Sequence, residues 1–390
     1  MNRTAPSHDQ PSNPEGPTAA TDVLGANGAP TNERPTRVLL VGPSMDILGG
    51  QAIVLQRLLG RLSHVDRVQA DFCPVNPRLA GVLGRLQRIK YVRTILTSAR
   101  YVLSLLTTVP RYDVIHIFSA SYFSFVLAPT PALLIARIFR KPSVLNYRSG
   151  EAEDHLRRWK TARRTAASAT RIVVPSGYLV DVFGKFGLAA EAIPNAVDLT
   201  TFQHRDRGPC DPVFLSNRNF AAHYNVGCIL RAFRIIQDSH PQARLIVSGD
   251  GDERDHLHAL RDELALEHVD FLGQVPPARM AELYTEVDVY LNSSSIDNMP
   301  NSIVEAYACG LPVVSTDAGG IPYMVEDGAT GLLVAVDDHE ALAAAALRVL
   351  GDPELALRLS RGGRAKCEAE YTWSAATEAW VRLYEGLAPE

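Results

Sequence analysis

The densest run of groups able to do chemistry lies between Ser293 and Gly320, SSSIDNMPNSIVEAYACGLPVVSTDAGG. A polar loop follows the apolar run Val287–Asn292 and leads into a helical pattern that opens near Asn301-Ser302. The first backbone N–H groups of a helix have no intrahelical acceptor and sit at the positive end of its dipole, so this start is a ready anion site. Asp297 and Glu305 stand eight positions apart, one carboxylate before the helix and one about a turn inside it. A carboxylate at that depth can accept two hydrogen bonds from a vicinal diol such as ribose. Phosphate and diol together describe a nucleotide. The competing reading is a carboxylate that caps and salt-bridges its own helix.

Other chemistries find little support. Gly42-Pro43-Ser44 opens like a nucleophile elbow, but Asp46 stands where the second glycine belongs. There is no GxxxxGK[ST] loop, no HExxH and no GxGxxG opening the first helix. Asp250-Gly251-Asp252 could hold Mg²⁺, yet its place between a strand and a helix explains it better as a tight turn with an N-cap. In the first half, Gly49-Gly50 precedes a helix and would let the backbone approach a phosphate closely, or simply make a turn. His116 lies in the strand pattern Val114–Phe118, as a cleft residue or a satisfied core histidine. Arg148, after the strand Ser143–Tyr147, faces an anionic ligand or a structural salt bridge.

These residues need elements to position them, and the chain supplies a repeating strand–loop–helix pattern. Strands are expected at Thr36–Gly42, Val114–Phe118, Ser143–Tyr147 and Arg171–Val174, and a second set at Pro212–Ser216, Ala243–Ser248, Val269–Leu272, Val287–Asn292 and Pro312–Ser315. Continuous apolar strands separated by helices point to parallel sheets covered on both faces. The fold class is therefore α/β: two tandem doubly wound, Rossmann-like domains, with Pro194–Pro212 as hinge and the ligand cleft between them. The expected division is a disordered tail at 1–34, rich in Pro, Gly, Ala and Thr; a first domain at 35–200; a second at 201–370; and a terminal helix at 371–390 packing back toward the first.

The 390 residues carry five scattered Cys without a CxxC pair, which excludes a disulfide scaffold and a clustered thiolate site. No apolar stretch reaches the ~18–20 residues of a spanning helix, and no secretory pattern opens the chain, so a cytoplasmic location is expected. Charge is unevenly spread. Residues 34–200 hold 23 Lys and Arg against 10 Asp and Glu, whereas residues 201–390 hold 15 against 29. Opposite signs suit different partners. Within the cationic half, Gly81–Val109 is apolar but studded with Arg85, Arg88, Arg93 and Arg100, which fall within a sector of roughly 140° on a helix. It reads either as an interfacial helix with snorkelling arginines or as an ordinary helix pair with a solvated basic face.

The Asp297…Glu305 segment resembles the E-x7-E signature of the family 4 retaining glycosyltransferases of GT-B fold, with Asp in place of the first Glu. Further pieces agree in order: Ile193-Pro194-Asn195-Ala196-Val197-Asp198, Ser248-Gly249-Asp250-Gly251, Phe271-Leu272-Gly273-Gln274-Val275 and Gly319-Gly320-Ile321-Pro322. The resemblance implies that Glu305 binds the ribose hydroxyls of a nucleotide sugar. The backbone at Asn301, Ser302 and Ile303 would hold its diphosphate, Val275 would meet the base, and Asp297 the donor sugar. Arg218 corresponds to a phosphate-binding arginine that stabilises the departing diphosphate. A lysine usual six residues later is here Tyr224, preceded by His223. Gly49, Gly50, His116 and Arg148 would serve donor, catalysis and acceptor from the first domain.

The implied activity moves a sugar from a nucleoside diphosphate to an acceptor hydroxyl with retention, and the family is generally metal-independent with no cofactor. A saccharide or lipid-linked acceptor at the inner face of the cell membrane fits the cationic half. Nucleic acid is not an expected partner. A nucleotide-sugar epimerase of the same fold and a non-catalytic nucleotide-binding protein are the rival functions, Tyr224 being the best support for the latter.

Overall fold

The computed structural model describes residues 34–44, 50–78 and 90–389. Pro35–Glu390 forms one compact unit that contains, among the described residues, two six-stranded parallel sheets. The first is built from β1 (Thr36–Gly42), β2 (Val68–Pro74), β3 (Val114–Ser119), β4 (Ser143–Tyr147), β5 (Arg171–Val174) and β6 (Glu191–Ala192), in the order β2-β1-β3-β4-β5-β6. The second comprises β7 (Val213–Asn217), β8 (Arg244–Ser248), β9 (Val269–Gly273), β10 (Val289–Asn292), β11 (Val313–Thr316) and β12 (Leu332–Val334), in the order β12-β11-β10-β7-β8-β9.

Both sheets reverse direction once. The chain steps outward from β1 to β2 and returns to the other side of β1 with β3. It likewise runs β7, β8, β9 and comes back beside β7 with β10. At such a switch point the connections leave in opposite directions and open a crevice beyond the carboxyl ends. Central strands are apolar on both faces because helices cover both. Val38–Val41 are buried and all of β3 and β4 is buried. The Val226–Ser239 helix shows how the cover is made: Val226, Ile229, Leu230, Phe233 and Ile236 recur every three to four residues and join the core of the second sheet.

Three strands escape the sequence pattern. β2 reads VQADFCP and alternates between buried and open positions, as an edge strand does. β6 and β12 span only two and three residues, too short to leave a periodic signal. The expected tail lies outside the described residues except for Arg34. So do Gly49 and the part of the basic segment before Lys90, including Arg85 and Arg88; from Lys90 to Thr108 the segment is helical.

The chain closes on its own beginning. After the Pro353–Glu370 helix, Thr372 caps the Trp373–Glu385 helix by accepting from the Ala375 N–H. That helix buries Trp373, Trp380, Val381 and Tyr384 against Val38, Leu40, Leu55, Val114 and Phe118 of the first sheet and its first helix. Arg67 pairs with Glu378 and Glu385 at 2.7 and 3.1 Å. His116 is the centre of this contact. Its Nδ1 meets the Tyr384 hydroxyl at 2.6 Å, its Nε2 meets Asn146 Nδ2 at 3.0 Å, and its ring stacks between Phe118 and Trp380. Burial, reinforced by Arg148, pushes its pKa down to about 3. His116 is thus a neutral core residue with both nitrogens committed, as in the core-histidine reading; the catalytic role that the resemblance implies finds neither ring nitrogen free in this structure. Trp380→Ala empties this layer and should cost about 3–5 kcal/mol, read as a lower urea midpoint in equilibrium unfolding.

Candidate active site

The second sheet's switch point gathers the polar groups. Arg218 follows β7, and the loop carrying Asp297 follows β10, so the two strand ends place cation and carboxylate side by side. Gly249 is required for this approach. A Cβ there would stand 2.0 Å from the Arg218 carbonyl oxygen. The loop is pinned from the other side by Gly319-Gly320. Added Cβ atoms would meet the Asp297 and Asn298 carbonyls at 2.2 and 1.9 Å, and Gly320 N–H donates to Asp297 O at 2.9 Å. Ser293 and Ser295 tie it to the Ala222–Tyr224 turn, donating to the carbonyls of Asn225 (2.7 Å) and His223 (3.1 Å).

Arg218 is nearly buried and held on three sides. It pairs with the Asp297 carboxylate, donates to Ser302 Oγ at 3.2 Å, and lies over the Tyr224 ring with 4.2 Å between guanidinium carbon and centroid. Burial works to lower its pKa, but Asp297 and the surrounding tyrosines outweigh that and the net shift is upward. Its Nε–H is buried without an acceptor among the described residues. Tyr224 therefore supplies a face for the arginine where a lysine would supply a second charge.

The Asn301–Ala308 helix points its start at the same place. Pro300 precedes it without a side-chain cap, and the Ser302 hydroxyl already faces Arg218. Ile303 is fully buried and its N–H donates to the Pro300 carbonyl at 3.2 Å, so the diphosphate contact that the resemblance implies for it is not open in this structure. Glu305 sits one turn in. It accepts from the Tyr284 hydroxyl at 3.1 Å, and that hydroxyl is fixed by Asn217 Nδ2 at 2.8 Å. Desolvation raises the Glu305 pKa to about 7, opposed by Arg57, by the Tyr284 hydrogen bond and by Arg218. Val275, after β9, packs against the cluster that contains Tyr284 and Ile303.

The first sheet contributes the facing wall. A cavity of about 300 Å³ is lined by Gln51, Arg148 and Glu151 on one side and by His223, Tyr224 and Asp297 on the other. Arg148 leaves β4 and donates to the Asn195 side chain, whose Nδ2 reaches the Met299 carbonyl at 2.8 Å. Burial brings its pKa down to about 10, and among the described residues it has no carboxylate partner. A desolvated, unpaired guanidinium in a cavity wall is a binding group for an anion. Gly50 begins the Gly50–Leu62 helix, whose Gln51 side chain donates to Ser119 O at 3.1 Å.

The structure thus brings together Arg218, Tyr224, Asp297, Ser302 and Glu305, sets Arg148 opposite, and leaves His116 in the core. Tyr284, Asn217 and Ser294 were missed. Ser294 Oγ lies 3.0 Å from Asn292 Oδ1 and 3.4 Å from the Asp297 carboxylate, but a lone tyrosine or serine near a strand end carries no spacing signal. Among the described residues no three His, Cys, Asp or Glu side chains cluster as a metal site.

Two six-stranded parallel-sheet α/β domains define the GT-B class, and Arg218, Asp297, Ser302 and Glu305 gather at the switch point of the second. Residues 201–366 match the model of glycosyl transferases group 1 and residues 49–201 that of glycosyltransferase family 4. The chain belongs to glycosyltransferase family 4. It is 35% identical over 170 residues to D-inositol 3-phosphate glycosyltransferase of Corynebacterium jeikeium, covering 41% of this chain and 40% of the relative. To the lipopolysaccharide core biosynthesis glycosyltransferase LpsE of Rhizobium meliloti it is 33% identical over 177 residues, 45% and 50% of the two chains. The alignments thus span half or less of these relatives. The fold is shared with HepE of Anabaena in complex with UDP and glucose (TM-score 0.69, 19% identity, 90% and 100% coverage). It is also shared with sucrose-phosphate synthase of Thermosynechococcus elongatus (TM-score 0.73, 21% identity, 90% and 99% coverage).

Glu305 makes stability pH-dependent. A carboxyl whose folded pKa is raised binds its proton more tightly in the native state, so its contribution is full below pH 4.5 and lost as pH rises toward 7. Relative to Glu305→Gln, the wild-type protein should lose up to about 3 kcal/mol across that window, measured as the difference between their unfolding free energies.

Proposed function

We propose that the chain transfers a hexosyl unit from a nucleoside diphosphate sugar to an acceptor hydroxyl with retention of configuration. One observation carries this. Arg218 meets Ser302 Oγ at 3.2 Å at the start of the Asn301–Ala308 helix, which has no side-chain cap, with Glu305 a turn deeper on the same helix. In this reading the arginine and helix start take a diphosphate and Glu305 the ribose joined to it. Arg218 and the helix N-terminus counter the charge that grows on the departing diphosphate, which is where fixed positive groups lower a barrier most. Tyr224 holds the guanidinium against its ring face. The reading assigns the site no metal or cofactor, because these groups supply the positive charge.

In this reading Asp297 leaves Arg218 when the diphosphate arrives and turns toward the donor sugar. No protein nucleophile is invoked. The acceptor enters the cavity beside Arg148, on the same face of the sugar as the leaving phosphate, whose oxygen takes the hydroxyl proton as the new bond forms. Holding the two reactants in that geometry, with water excluded between the domains, supplies the remaining advantage. The acceptor is a saccharide or lipid-linked saccharide of envelope or exopolysaccharide assembly at the inner face of the cell membrane. The cationic first half and the likeness to LpsE support this.

Arg218→Ala and Glu305→Ala should each lower transfer at least about tenfold while leaving the circular dichroism spectrum unchanged. A folded Arg218→Ala protein with normal turnover overturns the assignment. In a thermal-shift panel of UDP, GDP, ADP and their sugar conjugates, one nucleotide series should raise the melting temperature, and Glu305→Ala should abolish the response to it. A native protein shifted by none of them excludes the reading. An inverted sugar recovered from donor alone would make the protein an epimerase.

A further inference from the structure

Of the eleven large hydrophobic side chains that stand exposed among the described residues, eight lie between Ile95 and Phe139. They are carried on three helices of the first domain: Lys90–Thr108 (Ile95, Leu103, Leu106), Tyr122–Leu127 (Phe123, Val126) and Pro129–Ile138 with the residue after it (Leu134, Ile138, Phe139). The helices are neighbours. The first packs on the third, the second on the third, and the Tyr101 hydroxyl donates to Ala128 O at 2.8 Å. Their inner sides are ordinary core: Tyr101, Leu105, Phe125, Leu133 and Ala136 are buried over the first sheet. The outer side is the anomaly, with Ile95 and Ile138 each 69% exposed and Phe123 64%. Patches of this kind mark a binding surface rather than random exposure.

The charge carried by this stretch of chain has nearly one sign. Between Lys90 and Lys141 the sole acidic residue is Asp113, which is buried and paired with Arg37 at 3.1 Å. Against it stand Arg93, Arg100, Arg111, Arg137 and Arg140, all exposed and without a carboxylate partner among the described residues. On the first helix Arg100 lies roughly 60° round from Leu103, so cation flanks apolar ridge. This combination discriminates among occupants. A second copy of the chain in a twofold dimer would set the same arginines against themselves. Nucleic acid would use the arginines but leave the isoleucines and phenylalanines in water. A bilayer with anionic headgroups satisfies both, since the apolar side chains enter the acyl boundary while the arginine stems snorkel to the phosphates. No described helix is long and apolar enough to cross the membrane, so the contact is peripheral.

We propose that the outer face of these three helices docks the protein on an anionic lipid surface. The proposal deepens the lipid-linked acceptor reading above and takes its purpose from it, but the lipid contact is tested separately. Full-length protein is sedimented with vesicles rich in phosphatidylglycerol and, in parallel, with pure phosphatidylcholine vesicles. Binding to the first and little to the second is expected, weakening as salt screens the headgroups. Phe123→Ser with Ile138→Glu, and separately Arg137→Glu with Arg140→Glu, should each lower vesicle binding about tenfold. Because these side chains are exposed, melting temperature and nucleotide binding should not change. Arg218→Ala should bind vesicles like the wild type, which separates this surface from the transfer chemistry. The proposal is overturned if the wild-type protein stays in the supernatant with phosphatidylglycerol vesicles, or if both surface variants bind as it does. It is equally overturned if the protein is a dimer that these substitutions dissociate without altering vesicle binding.

Discussion

The site depends on one ion pair. Arg218 and Asp297 come from the ends of neighbouring strands whose connections diverge, and neither side chain has much water to turn to. Charges so placed are favourable only when their geometry is held. Much of the surrounding structure does the holding. Gly249 lets the arginine backbone in, Tyr224 lies against the guanidinium, Gly319-Gly320 grips the aspartate loop, and Ser293 and Ser295 stitch that loop to the turn bearing Tyr224. The pair also sets the electrostatic state of the resting site. The cation that a diphosphate would use is already engaged, so a ligand must exchange with a carboxylate rather than fill a void. Only a strongly anionic group competes on those terms, and this favours diphosphates over neutral sugars.

The facing wall obeys the same logic with the opposite outcome. Arg148 is desolvated like Arg218, yet its partner is an amide, not a carboxylate. Asn195 passes that contact on to Met299, in the loop just before the Asn301–Ala308 helix. Ser176 bonds Asn298 beside it, and Tyr323 meets Asp181 at 2.6 Å. Near the cavity the two domains therefore meet partly through side-chain hydrogen bonds. Such contacts can be exchanged one by one, as opening and closing of a cleft requires.

Most of the architecture was legible because parallel strands covered on both faces leave continuous apolar runs. Strands β1, β4 and β5 span the same residues as the runs read from the sequence. Edge strand β2 was not legible, because half of its side chains face water. In the site, Arg218, Asp297, Ser302 and Glu305 could be found because motif order survives in linear sequence. Tyr224 could be noticed only as a departure, and its stacking on Arg218 is a fact of three dimensions. His116 shows the limit most plainly. Nothing local distinguishes a histidine opening on a cleft from one sealed by Trp380 and Tyr384, more than 260 positions away. The exposed residues of the Tyr122–Leu127 and Pro129–Ile138 helices were equally hidden, since an apolar helix reads as core until its neighbours are known.

The return of the Trp373–Glu385 helix to the first sheet has a consequence for biosynthesis. Strands β1 and β3 emerge early from the ribosome, yet Trp373, Trp380, Val381 and Tyr384, which cover them, are translated after the whole second domain. Full cover of the first sheet, and the shielding of His116, therefore waits until the last helix has been made. Until then an apolar sheet face is open to wrong partners, and the nascent chain is the stage at which a chaperone has most to protect.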